Sequence, residues 1–163
     1  MLKKAIILTA AMFYSAVTAA GQGNTIIPSW FSSDNGSNSN QTYFQLALSN
    51  VTSESTSVKV KLYDVNGALY KARSGDTFTV KYSDARSFTE VDSTLEIVIG
   101  PYKTVRFTAL TGSVQEGYGV IEWSQSEGQN ANALVANAYQ MVYITDFSHR
   151  SERAVPINNG MVF

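Results

Sequence analysis

The sequence predicts an all-β protein, a single antiparallel β-sandwich of about eight strands, preceded by a leader that is removed. Three observations predict it. Apolar and polar residues alternate at period two in several separate runs; Gly, Asn, Asp and Ser punctuate the gaps between them; and the first twenty residues follow the order of a secretory signal.

The leader comes first. Lys3 and Lys4 supply a positive start, Ala5–Phe13 a short apolar core, and Val17-Thr18-Ala19-Ala20 the small residues of a cleavage site after Ala19 or Ala20. The apolar run is shorter than the ~20 residues of a membrane span and is followed by Tyr14, Ser15 and Thr18. Residues 1–20 are therefore expected to be a signal peptide and residues 21–163 one domain. Export places the protein at the cell surface, in the extracellular space or in the periplasm.

Composition narrows the rest. The chain has 163 residues, no cysteine, one histidine, and 12 Lys+Arg against 13 Asp+Glu. No disulfide and no Cys-ligated metal can form, and no basic excess suits nucleic acid. With 44% hydrophobic and 12% aromatic residues, a core can form by packing alone.

The strands follow in order. Phe44, Leu46 and Leu48 face one way while Tyr43, Gln45 and Ala47 face the other; Val58, Val60 and Leu62 alternate with Lys59, Lys61 and Tyr63. The pattern recurs at Phe78, Val80, Tyr82, at Leu95, Ile97, Ile99, and at Val105, Phe107, Ala109. One dry and one wet face per strand is what two packed antiparallel sheets require. Asp64-Val65-Asn66-Gly67, Ser74-Gly75-Asp76, Gly100-Pro101 and Thr111-Gly112-Ser113 mark reversals, and Ser32–Gln41 reads as a surface loop. Asn130–Ile144 fits either a helical stripe through Leu134, Val135, Ala138, Met141 and Val142 or a strand; its ending Val142-Tyr143-Ile144-Thr145 favours strand, pairing with Gly117–Ser124.

Leu48-Ser49-Asn50-Val51, the strand-to-turn run Val58–Gly67, and Leu95–Phe107 (strand, Gly-Pro turn, strand) resemble the phrases of secreted immunoglobulin-like and fibronectin-like modules. That resemblance spans about half of the mature chain, without a Cys…Trp…Cys frame, and implies an immunoglobulin-like sandwich. The spacing of tryptophan, strand and turn is also similar to that of the sensory-rhodopsin transducer family.

Catalytic patterns are absent. His149, in Asp146–Arg153, has Asp146 to orient it but no Gly-x-Ser-x-Gly elbow to present a nucleophile, so this stretch reads as a solvated charged loop. Glu96 and Glu122 are strand carboxylates that nothing in the sequence brings together. Asp34–Asn40 is oxygen-rich, yet its Gly, Ser and Gln positions do not match a calcium-loop template. The sequons at Asn35, Asn40 and Asn50 read as surface markers. A terminal Phe163 would suit an outer-membrane barrel, but Pro156 and Asn158-Asn159-Gly160 interrupt the last segment, and membrane insertion is not expected.

The expected function is therefore non-catalytic: a structural or adhesive surface or matrix protein, without cofactor or metal. Its partners would be a second copy through edge strands, or surface glycans and proteins. Tyr43, Tyr63, Tyr139 and Tyr143 fall on polar strand faces, and Trp123 could extend an aromatic platform; these five are the candidate binding residues. The alternative is a small carbohydrate-binding module using the same aromatics.

Overall fold

A computed structural model describes residues 21–34, 40–82, 94–126, 132–144 and 149–163. The expected leader, residues 35–39 of the oxygen-rich loop, residues 127–131 and Asp146 lie outside the described residues. The strands are β1 (Gln22–Asp34), β2 (Asn40–Asn50), β3 (Thr56–Asp64), β4 (Thr77–Tyr82), β5 (Thr94–Ile99), β6 (Thr104–Leu110), β7 (Gln115–Ser124), β8 (Leu134–Ile144) and β9 (His149–Val155). Among the described residues there is no α-helix, only a three-residue 3-10 turn at Asn158–Gly160. Among the described residues no helix is long and apolar enough to cross a membrane.

Every ladder is antiparallel. One group runs β1-β7-β3-β5 and the other β4-β6-β2-β8-β9. They are one curled sheet because β1 belongs to both. From Gln22 to Ser32 it pairs with β7, with a register shift between Ile27 and Trp30, and its last residues, Ser33 and Asp34, pair with Thr42 and Gln41 of β2. Pro28 lies in that irregular stretch, where a missing N–H costs no ladder bond.

The predicted alternation decides which way each strand faces. Phe44, Leu46, Leu48, Val58, Val60, Leu62, Phe78, Val80, Leu95, Ile99, Val105, Phe107 and Ala109 are all buried. They join one apolar cluster with Ile121, Leu134 and Ala136, drawn from both strand groups. Asn130–Ile144 resolves as strand over its described part, since β8 is paired residue for residue with β2 from Asn40↔Ile144 to Asn50↔Leu134.

β8 does not pair with Gly117–Ser124 as expected: β7 lies between β1 and β3, β8 lies between β2 and β9, and the two fall in different strand groups. Three further expectations need correction. The segment at His149 is not a loop: His149–Val155 forms β9, an outermost strand on β8. Its charges hid it, because an outermost strand tolerates them on the faces and rim that meet water. The supposed loop from Ser32 is shorter, since β1 continues to Asp34 and β2 begins at Asn40. Ser32 is fully buried there; its hydroxyl reaches the Ala109 and Thr42 carbonyl oxygens at 3.0 and 3.1 Å and accepts from the Thr111 N–H at 2.9 Å.

The third correction concerns Asn50. It is 2% exposed, so it marks no surface. Its Nδ2 donates to the carbonyls of Glu54, Ile99 and Gly100, and its Oδ1 accepts from the N–H and hydroxyl of Thr52. This amide ties the β2–β3 connection to the β5–β6 turn. In that turn Tyr102 holds φ 54°, a left-handed conformation uncommon without glycine, with its N–H on the Thr52 carbonyl at 3.2 Å.

The C-terminal residues close the same end. Phe163 exchanges backbone hydrogen bonds of 2.9 Å with Leu134, and its ring joins the core.

Candidate functional site

The outward face of β1-β7-β3-β5 carries an ordered polar surface. Because side chains alternate along each strand, register alone sets its rows. One row across the four strands is Gln22, Ser124, Ser57 and Val98; the next is Asn24, Glu122, Lys59 and Glu96. Further along β3 and β7 come Lys61 beside Val120, then Tyr63 beside Tyr118. The first two rows line an open groove of about 780 Å³.

Charge is paired within this face. Lys59 forms an ion pair with Glu96 on one side, and Lys61 Nζ donates to Glu122 Oε1 at 2.7 Å on the other. The hydrogen bond to Glu122 is the main reason the Lys61 ammonium is held above the usual lysine range. Two lysines on the central strand thus separate two carboxylates on its neighbours. Such exposed pairs contribute little stability.

An aromatic platform continues the groove. Tyr63 and Tyr118 stack with ring centroids 4.9 Å apart and planes 8° from parallel. Gly117 makes the approach possible, because a Cβ there would collide with the Tyr63 carbonyl oxygen. Tyr118 is 38% exposed and Tyr63 is half-buried.

The five sequence-predicted residues divide. Tyr63 lies on the groove face. Tyr43, Tyr139 and Tyr143 lie together on the outward face of β2 and β8, where Tyr43 and Tyr143 meet edge-to-face at 5.4 Å. The Tyr43 hydroxyl donates to Gln41 Oε1 at 2.6 Å, and Gln41 Nε2 donates to Asp34 at 3.0 Å. Burial, then the charge of Asp34, then Tyr143, raise the Tyr43 phenol above its ordinary value.

Trp123 corrects the reading of it as an exposed platform. It is 3% exposed and its indole fills the core across from Gly23 of β1. Trp30 is buried as well, donating from Nε1 to the Tyr63 carbonyl at 2.9 Å. Large flat side chains at inward positions were claimed by the core.

Sequence reasoning missed Tyr118 as a partner for Tyr63, and Lys59 and Lys61 as the paired charges at the centre of this face. The signal was present in part. Tyr118, Val120 and Glu122 share a parity opposite to that of Ile121 and Trp123, which places them outward on β7. What sequence did not supply was the neighbour relation of β7 with β3.

Chemically, the groove offers hydroxyls, amides, the Lys59 ammonium group and two carboxylates, with Lys61 just beyond it. Glu96 and Glu122 do share a face, but two strand spacings separate them at the backbone, about 10 Å. Both are exposed and both are engaged by lysine, the opposite of the desolvated pocket that keeps a general acid protonated. Among the described residues no group of three or more His, Asp or Glu could hold a metal ion. Compared with known protein families, curated proteins and solved structures, the chain matches none.

Proposed function

We propose that this chain is an exported, non-catalytic protein of the cell surface or matrix, acting by contact through the outward face of β1-β7-β3-β5. The fold we read behind it is an immunoglobulin-like sandwich, in which the two strand groups are facing layers over one core. Its apolar interior and charged exterior invert the arrangement of a membrane-spanning barrel, which supports a protein that does not insert.

The observation that carries the reading is the groove itself. Four strands contribute in-register Asn, Ser, Lys and Glu side chains to a single open trough. Polar groups with fixed positions and short, balanced ion pairs suit recognition of a polar surface, not turnover.

One observation favours a glycan as the surface contacted. The Tyr63–Tyr118 stack stands beside the groove, and an exposed tyrosine face next to amide and carboxylate acceptors is a common way to hold a sugar ring. The test uses the processed protein against cell-surface and matrix fractions, each treated with periodate or with protease. Binding abolished by periodate and by Tyr118→Ala supports the glycan reading; binding abolished by protease alone supports a protein partner. Retention on neither untreated fraction would remove the contact function altogether.

A further inference from the structure

The groove runs out to β5, and β5 is an outermost strand whose only ladder partner among the described residues is β3. We propose that two copies of this chain pair antiparallel through β5, about a two-fold axis at Ile97, joining their grooves into one trough.

Three features of β5 point to a second copy. The first is its composition. Thr94-Leu95-Glu96-Ile97-Val98-Ile99 carries one charge, already neutralised by Lys59 of the same chain, and no proline, lysine or glycine interrupts it. The strands at the two ends of the other group are better defended, with exposed Lys81 on β4 and exposed Glu152 and Arg153 on β9.

Burial supplies the second feature. Leu95 and Ile99 are buried on the inward side, but Ile97 between them is only partly covered. On the outward side Val98 is 59% exposed. A partly covered isoleucine at the centre of a short strand is where the same residue of a symmetric partner would lie.

The third is charge. In the register centred on Ile97, Leu95 faces the partner's Ile99, Ile97 faces its own counterpart, and Glu96 faces the partner's Val98. No like charges lie directly opposite; the two Val98 side chains become diagonal neighbours on the outward face, and so do the two Glu96 carboxylates, each already paired with Lys59 of its own chain. The resulting contact is isologous and closes at two copies. The pairing rests on the β5 edge alone; the enlarged trough rests additionally on the contact function proposed above.

Sedimentation of the processed protein at concentrations up to about 1 mM tests the pairing without any ligand, because interfaces this small are weak. A reversible monomer–dimer equilibrium is expected. V98E sets a carboxylate against the partner's Glu96 twice per dimer and should weaken dimerisation by about tenfold, whereas V98K should leave it equal or tighter. Residue 98 points outward and is exposed, so both variants should fold.

The chain lacks cysteine, so Ile97→Cys introduces a single thiol, with Cα atoms about 4.5–5.5 Å from its counterpart across the axis, within disulfide reach. Oxidation should give a covalent dimer, and Lys81→Cys on β4 should not. A strictly monomeric protein, equal loss in V98E and V98K, or equal crosslinking from both cysteine positions would overturn the proposal. Dimerisation without retention on any surface fraction would leave the pairing standing and remove only the contact function.

Discussion

Gly23 of β1 lies directly across the ladder from Trp123 of β7, and the indole occupies the volume that a side chain at residue 23 would need. A Cβ built there would sit 2.6 Å from Nε1. Gly23→Ala therefore forces either the indole or the strand to move, and overpacking of this kind costs about 1–3 kcal/mol. Urea denaturation should show the loss, with tryptophan emission shifted to the red in the folded state. An unchanged midpoint would mean that the indole has room to yield.

The two tryptophans should respond differently to the same substitution. Trp30 Nε1 donates to the Tyr63 carbonyl, while Trp123 Nε1 is buried without a hydrogen-bond partner among the described residues. Both Trp→Phe changes remove similar volume. Trp30→Phe also removes a satisfied bond and should cost about 1 kcal/mol more than Trp123→Phe. Equal destabilisation would show that this bond contributes nothing net.

Asn50 joins connections that no ladder joins. Asn50→Ala leaves the carbonyls of Glu54, Ile99 and Gly100 without this donor, and the Thr52 N–H without its acceptor. Losses of about 3–5 kcal/mol follow from orphaning several buried groups at once. Hydrogen exchange should reveal faster opening at Lys103 and Tyr102, whose amides close the neighbouring turn. If exchange there is unaltered, the amide is not what holds the turn.

Stability should decline in alkali. The Tyr70 phenol is raised first by burial, then by its 2.7 Å hydrogen bond to Asp76 and the charge of that carboxylate. Tyr43 is raised by burial, and Lys61 by its bond to Glu122. All three values lie higher in the folded chain than in the unfolded one. Their contribution is present in full below about pH 10 and is lost as pH rises through the folded values, because the native state then binds more protons than the unfolded state. Melting temperature followed from pH 8 to 11.5 should stay level and then drop. Tyr70→Phe should lower stability at neutral pH and make the alkaline drop shallower; an equally steep drop would exclude Tyr70 as a source of it.

Much of the fold could be read from local order, and much of the site could not. Period-two alternation is enforced residue by residue, so the inward set of β2, β3 and β6 and the outward set of Tyr43, Lys59, Lys61 and Tyr63 were legible. β9 was not, since an outermost strand needs no apolar stripe strong enough to stand out. Buried Ser32 and Asn50 were misread for a related reason: polar residues at bends go inward when backbone groups there need partners. The groove depends on which strands are neighbours. Tyr63 and Tyr118 are 55 positions apart in the chain, and only the placement of β7 between β1 and β3 makes them one surface.

The dual membership of β1 has a consequence for the order in which the chain can fold. Thr25 pairs with Ile121 and Leu46 with Ala138, so the earliest strands wait for partners more than ninety positions later. With such high contact order, closure is slow and comes only after nearly the whole polypeptide has been made. A nascent chain therefore holds little premature structure, and β1 is among the last strands to lock both halves together.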